Sequence, residues 1–358
     1  MKALLILSDN VFVTPYLFFY LTFLKQTNID YRVVYWDKAG SERIDDKKFI
    51  RFQYNRHGKL SRLIGYFKFR KKIVSLINRD SFSLIIPLHA QVFAIIVDKL
   101  LRKFKRKFIF DVRDYSYEKF YFFRVCQKFL VRNSLINVIS SPGYTEFLPR
   151  GTYWTCHNIP PNLNGRYKQY NKRTSEEINI SYIGSIRFME QNKKIILFFK
   201  NDPRYHINFI GRNASQLKKF CALNHVKNVT LIDSFLPSKT LDYYSQTDIV
   251  MNLYGNHTPL LDYALSNKLY YSAFLYKPIL VCKDTYMEKI INQYGLGFVL
   301  TLTDGNEKNK LYNYYKNLDR EKYINKCDYF LAKSITENKK LIEKLKECVD
   351  QLKRNDND

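Results

Sequence analysis

Short apolar runs recur along this chain, each followed by a stretch of helical period, and the whole alternation occurs twice. The runs "ALLILS", "DYRVVYWD", "SLIIPLH", "KFIFDV" and "NVISS" are nearly continuous in Leu, Ile, Val and aromatic residues. A strand that reads this way is buried on both faces, which a parallel sheet with helices on both sides provides. The intervening "TPYLFFYLTFLKQ", "SRLIGYFKFRKKIVSLINR", "QVFAIIVDKLLRKFK" and "EKFYFFRVCQKFLVRN" predict helices, and "GYTEFLPR" predicts the start of another. The pattern breaks at "HNIPPNLNGRYKQYNKR" and restarts at "EINISYIGSIR". These signals predict an α/β chain with a doubly wound domain over 1–156, a linker over 157–175 and a second doubly wound domain over 176–330. A helix follows over 331–358, with Leu341, Leu345, Val349 and Leu352 at helical spacing. At 358 residues and 46% hydrophobic, the chain suffices for two separate cores.

Charge narrows the partners. Lys and Arg number 59 against 33 Asp and Glu, a formal +26. Such a surface attracts polyanions, namely nucleic acid, anionic lipid headgroups or phosphate-bearing substrates, although a Lys-, Asn- and Ile-rich composition alone also produces it. The basic faces of "SRLIGYFKFRKKIVSLINR" and "KLLRKFKRK" suit an anionic membrane surface or are simply solvated. No run is long enough to span a bilayer, since "QVFAIIVDKLL" is interrupted at Asp98 and Lys99, so membrane contact is expected to be peripheral. The six cysteines are scattered without a CxxC pair, which predicts neither a zinc site nor a disulfide framework and fits a reducing cytosol.

Ligands of open parallel sheets bind beyond the strands' carboxyl ends, so the chemistry is sought in strand-to-helix loops. "YIGSIR" supplies Gly184, Ser185 and Arg187, and "FIGR" supplies Gly211 and Arg212. A glycine lets a phosphate approach the backbone, and an arginine holds it bidentately. In "LSNKLYYSAFLYKPILV", Ser266 caps a helix whose first turn holds Asn267 and Lys268. A cation is unfavourable there unless an anion lies over the helix end, or unless Lys268 is merely solvated. "FDVRDY" leaves its strand with Asp111, Arg113 and Asp114, which either meet an acceptor hydroxyl or form an ion pair holding the loop. His89 ends another strand as a proton relay, a sugar contact or a satisfied histidine. His157 and Asn158 line a cleft or cap a hinge.

The second half resembles the nucleotide-sugar-binding domain of GT-B glycosyltransferases, in particular the family-four-like enzymes of bacterial surface polysaccharide synthesis. The likeness rests on "ISYIGSIR", "INFIGR", "TLDYYSQTDIVMNLY", "LSNKLYYSAFLYKPILV" and "KIINQYGLGFVL", in that order, and on "FDVRDY" and "VISSPGYTEFL" in the first half. It implies two Rossmann-like domains facing across a cleft, with the last helix returning to the first. Carried over, Arg187, Lys268, Asn267, Gly184 and Ser185 bind the donor diphosphate. Gly211, Arg212, Phe235, Tyr271 and Asp262 lie about the nucleoside, and Asp114, Arg113 and His89 serve catalysis. The chain departs from the family where Tyr271 replaces the Glu that contacts the ribose, where Tyr276 replaces a small Gly, and in lacking glycines in "SDNVFVTPY". Asp262, beside Tyr263, is the candidate substitute for the upstream acid.

The resemblance implies transfer of a sugar from a nucleoside diphosphate donor, UDP-linked by expectation, to a polyprenyl-diphosphate-linked saccharide. Neither a metal nor a bound cofactor is expected, nor is nucleic acid as a partner. The expected place is the cytoplasm, peripheral on the inner face of the cell membrane. Two alternatives stand beside it: a basic nucleic-acid-binding protein, and a non-catalytic sugar-nucleotide-binding domain of the same fold.

Overall fold

The computed structural model describes residues 1–54, 58–160, 163 and 176–355. Residues 161–162 and 164–175 of the predicted linker, and the last three of the predicted final helix, lie outside the described residues. The chain divides into two compact units. Unit 1 takes Met1–Asn158 and the chain from Thr336 onward, and unit 2 takes Ile159–Ile335.

In unit 1 the order is β1 (Lys2–Leu7), α1 (Leu17–Gln26), β2 (Asp30–Trp36), β3 (Phe49–Phe52), α2 (Lys59–Arg79), β4 (Leu84–Pro87), α3 (Ala90–Arg102), β5 (Ile109–Val112), α4 (Tyr121–Asn133), β6 (Ile136–Ile139) and β7 (Trp154–Thr155). The strands run β3-β2-β1-β4 and β5-β6-β7, all parallel, with a parallel bridge from Ile85 to Phe108 joining the two groups. The chain order reverses between β1 and β4, so those two strands open a crevice at their carboxyl ends.

Unit 2 continues with β8 (Ile178–Ile183), α5 (Met189–Phe199), β9 (Tyr205–Ile210), α6 (Lys218–Leu223), β10 (Val229–Ile232), α7 (Thr240–Ser245), β11 (Ile249–Asn252), α8 (Pro259–Asp262), α9 (Asn267–Phe274), β12 (Ile279–Cys282), α10 (Tyr286–Tyr294), β13 (Gly297–Leu300), α11 (Asn306–Lys316) and α12 (Arg320–Asn355). Its parallel sheet reads β10-β9-β8-β11-β12-β13 and reverses between β8 and β11. Val250, Ile279 and Val281 pack into one apolar cluster, while Ile249, Met251, Leu280 and Cys282 pack into another. Alternate residues pointing into different cores are the structural reason the sequence shows unbroken apolar runs rather than alternation.

Three local features differ from the sequence expectation. The strands β3 and β7 sit at the ends of the strand order and their residues are half-buried, so neither carries a continuous apolar signature. "GYTEFLPR" forms a 3-10 turn over Pro142–Glu146 and stops, with Pro149 ahead of it. Helix α12 begins at Arg320 rather than near Phe330, because Tyr323, Cys327, Phe330 and Leu331 already give it a buried face. Farther on, Leu341, Leu345 and Val349 belong to the core of unit 1.

Candidate functional site

In unit 2 the loops after β8 and β9 and the start of α9 converge on the reversal point. Ser266 caps α9, its hydroxyl accepting from the Lys268 amide at 3.3 Å. Asn267 is exposed in the first turn, whereas the Lys268 side chain turns inward and is 6% exposed. Its Nζ donates to the Ile183 carbonyl at the end of β8 and lies 4.7 Å from the Tyr182 ring centre. Among the described residues no carboxylate pairs with it. Burial, and secondarily the charge of Arg187, push its pKa from 10.5 down to about 7. The Tyr182 face favours the ammonium and offsets part of that loss. A solvated lysine is thus excluded: this amine is buried and, among the described residues, lacks a counter-ion, in a place that disfavours a cation.

The glycines keep the space beside this amine open. Gly184, with φ +122°, leaves the space next to Lys268 Nζ open: a Cβ built on it would sit 3.5 Å from that nitrogen. Gly211 has φ +134°, and a Cβ there would overlap the Gly184 carbonyl. The Gly184 amide donates to Ile210 O at 2.9 Å and the Ile186 amide to Arg212 O at 2.9 Å, tying the two loops together. Arg187 and Arg212 are exposed, and Arg212 reaches the Ser185 hydroxyl at 3.5 Å. Arg187 makes no ion pair among the described residues. The structure therefore brings together Gly184, Ser185, Arg187, Gly211, Arg212 and Lys268, with Asn267 one residue away on the same helix turn.

The other candidates of this unit sit on α9, on α8 and in the loop after β10. Tyr271 stacks on buried Tyr244 with ring centres 4.6 Å apart and planes at 12°. Phe235 meets Tyr243 edge-on at 5.0 Å. Among the described residues, Asp262 at the end of α8 and Asn252 at the end of β11 each keep a buried Oδ1 without a hydrogen-bond partner. Sequence reasoning missed Asn252 and the tyrosines behind Lys268. Tyr182 packs against Tyr254 at 5.4 Å, and burial raises the pKa of Tyr182, Tyr244 and Tyr254. For Tyr182 and Tyr254, a tyrosine one or two positions ahead of a glycine just past a strand, in "SYIG" and "NLYG", was the available signal.

Unit 1 has its own pocket, a cavity of about 110 Å³ lined by Tyr16, His89, Gln91, Arg113, Asp114 and neighbouring residues. The backbone amide of Ser8 donates to His89 Nδ1 at 3.1 Å. Burial pushes the His89 pKa down to about 4, so the ring is neutral near pH 7 and carries its proton on Nε2. In that form His89 offers a hydrogen-bond donor and leaves no free basic nitrogen. Arg113 is buried: it pairs with Asp111 at 2.7 Å, donates to Asn158 Oδ1 at 2.7 Å, and lies 4.6 Å over the Tyr16 ring. Tyr20 completes the set by donating to Asp111 at 2.6 Å. Asp114, next along the chain, is exposed and lines the same pocket. His157 bonds Glu337 at 2.6 Å and exchanges hydrogen bonds with Asn338, tying the part of α12 from Thr336 onward to the rest of unit 1.

The glycine-poor loop after β1 has its own filling. Glu42 accepts from the amides of Val11 and Phe12 at 2.8 and 2.9 Å, and Asp37 binds Asn10 and Arg51. A carboxylate of the chain already occupies the amides that an external anion would seek there. Among the described residues no cluster of three or more His, Cys, Asp or Glu side chains is disposed to hold a metal.

No family model matches the chain, and no curated protein sequence matches it. Solved structures do resemble it. HepE from Anabaena, solved with UDP and glucose, superposes with a TM-score of 0.65 at 12% identity, covering 97% of this chain and 100% of that one. Sucrose-phosphate synthase from Thermosynechococcus elongatus gives 0.69 at 11% identity, with 99% of each chain covered. WaaB, a lipopolysaccharide outer core galactosyltransferase, gives 0.63 at 11% identity, with 94% and 99% covered. The likeness establishes the fold: α/β, of GT-B type, with two Rossmann-like parallel-sheet units.

Proposed function

We propose that this protein is a glycosyltransferase that moves a sugar from a nucleoside diphosphate sugar to a saccharide carried on a polyprenyl diphosphate. The observation that carries the reading is Lys268, a buried amine without a carboxylate partner among the described residues, aimed at two glycine-lined strand ends with Arg187 close by. A diphosphate supplies the missing counter-charge. UDP is the favoured carrier because HepE, which shares the fold, was solved with it. Asp262 and Asn252, each with an unpartnered carbonyl or carboxyl oxygen, are the acceptors for ribose hydroxyls. Unit 2 is the donor domain and unit 1 the acceptor domain.

In the reaction an acceptor hydroxyl attacks C1 of the donor sugar, and the bond from C1 to the β-phosphate oxygen breaks. The nucleoside diphosphate leaves with the electron pair, its new charge met by Arg187 and Lys268 in place of a metal. Asp114 takes the hydroxyl proton, and His89 donates from Nε2 to a neighbouring sugar oxygen. No described helix is long and apolar enough to cross a membrane. The exposed Lys68, Lys71 and Lys72 on α2 meet an anionic membrane at the cytoplasmic side, where a lipid-linked acceptor resides. The test is a screen of sugar nucleotides by thermal stabilisation and by transfer to lipid-linked saccharides. Saturable binding of one nucleotide with sugar transfer is expected. Salt-sensitive binding to any duplex would favour a nucleic-acid protein, and binding without turnover an inert domain.

The depressed Lys268 pKa adds a pH signature. In the unfolded chain this amine titrates near the usual 10.5, in the folded chain near 7. Between those values the unfolded state binds more protons, so the free protein gains stability as pH rises above about 7. Donor binding runs the other way, because the diphosphate restores the ammonium and draws in a proton. Affinity is expected to fall by up to about tenfold per pH unit above about pH 7. Calorimetry in buffers of different ionisation enthalpy should register about one proton taken up near pH 8 and almost none near pH 6.

A further inference from the structure

A second concavity of unit 1, about 990 Å³, lies between α2, α3 and the segment that leads into α4. Its walls are apolar and aromatic, with Leu63 and Phe67 on α2, Ile95 on α3 and Phe120 and Phe122 opposite. Several of these side chains are strongly exposed: Phe67 at 69% and Phe122 at 78%. An apolar surface of that size left in water marks a binding site. Two further observations say what fills it. The groove shares Gln91 and Phe123 with the pocket that holds His89 and Asp114, so one end opens at the proposed acceptor position. Cations also line it: Arg62 has no ion pair among the described residues, while Arg70 is clamped to Asp98 at 2.7 Å and donates to the Ile95 carbonyl.

We infer that this groove holds the hydrocarbon chain of the acceptor's lipid carrier, with Arg62 near its phosphates. The inference rests on the lipid-linked acceptor proposed above and gives it a place. A chain laid against Phe67 and Phe122 hides their rings from water, and the attached saccharide is then delivered to Asp114. The carrier's tail thus sets acceptor affinity, and the sugar-binding pocket sets which hydroxyl reacts.

The test compares the parent with the double variant Phe67→Ser/Phe122→Ser, whose sites are exposed and outside the cores. One probe is a twenty-carbon prenyl diphosphate, followed by equilibrium binding. The other is the acceptor saccharide on a short soluble linker, followed by transfer. The expected result is prenyl diphosphate binding weakened about 30-fold or more. Melting temperature, donor affinity and turnover of the soluble acceptor should stay at parent values. Unchanged prenyl diphosphate binding overturns the inference, as does parent binding no tighter than that of inorganic diphosphate. If the variant instead loses sedimentation with anionic phospholipid vesicles while keeping prenyl diphosphate affinity, the patch is a membrane contact and the chain site is refuted. A parent that binds the prenyl chain through these rings but transfers no sugar upholds the groove and overturns the acceptor reading.

Discussion

Lys268→Ala lowers kcat/KM by about 1,000-fold and donor affinity by about 100-fold, while the free protein melts at or above the parent temperature. The two halves of this result have one cause. Keeping an amine inside unit 2 with its pKa near 7 costs about 4 kcal/mol of folding free energy near pH 7.5, relative to an unfolded chain that protonates it freely. Truncation removes that cost and loses about 3 kcal/mol of packing by the aliphatic stem, so the two nearly cancel. Lys268→Met retains the stem and should melt higher than the parent, with the same loss of donor binding. A lysine held by a buried carboxylate behaves in the opposite way, since its removal leaves that charge unpaired and lowers stability. Melting curves with and without nucleotide, read with initial rates, distinguish the two. A variant that loses stability while keeping normal turnover would remove the diphosphate assignment.

The parts of this architecture that were readable from the sequence are those set by short-range patterns. Continuous apolar runs such as "ALLILS" and "KPILV" identify strands because burial on both faces leaves no polar alternation. Ser266 identifies a helix start because its hydroxyl has one nearby use, the Lys268 amide. Side-chain direction is a different matter. The first turn of α9 permits Lys268 to point to solvent or to the end of β8, and the choice depends on the space next to Gly184, eighty-odd residues earlier. Arg113 presents the same difficulty. Its inward course is fixed by Asp111, Tyr20 and Asn158, which come from three separate parts of the chain. The anchoring of the first loop by Glu42 is equally non-local. Tyr276 shows a rule broken at a recognisable position: it adopts φ 55° where a glycine is easier, and its hydroxyl bonds Asp328 at 3.0 Å in compensation.

Gly211→Ala is expected to destabilise unit 2 by about 4 kcal/mol, through two additive effects. The backbone at this position has φ +134°, a region that a Cβ disfavours by its own sterics. The added methyl would also run into the Gly184 carbonyl, and that atom cannot step aside cheaply. Gly184 donates to Ile210 O and the neighbouring Ile186 amide to Arg212 O, so displacing the carbonyl strains the coupling of β8 to β9. A lowered melting temperature, by roughly 12 °C for a unit of this size, is the measurable consequence. Donor affinity should fall with it, because the Ile183 carbonyl that orients Lys268 directly precedes Gly184. Saturating nucleotide then recovers only part of the lost melting temperature. Gly184→Ala meets no backbone, only Lys268 Nζ at 3.5 Å, so its strain comes from φ alone and its thermal loss is smaller. Equal losses for the two variants would mean that the Gly211 contact is relieved by backbone movement, and that the two strand ends are not held rigidly around the anion site.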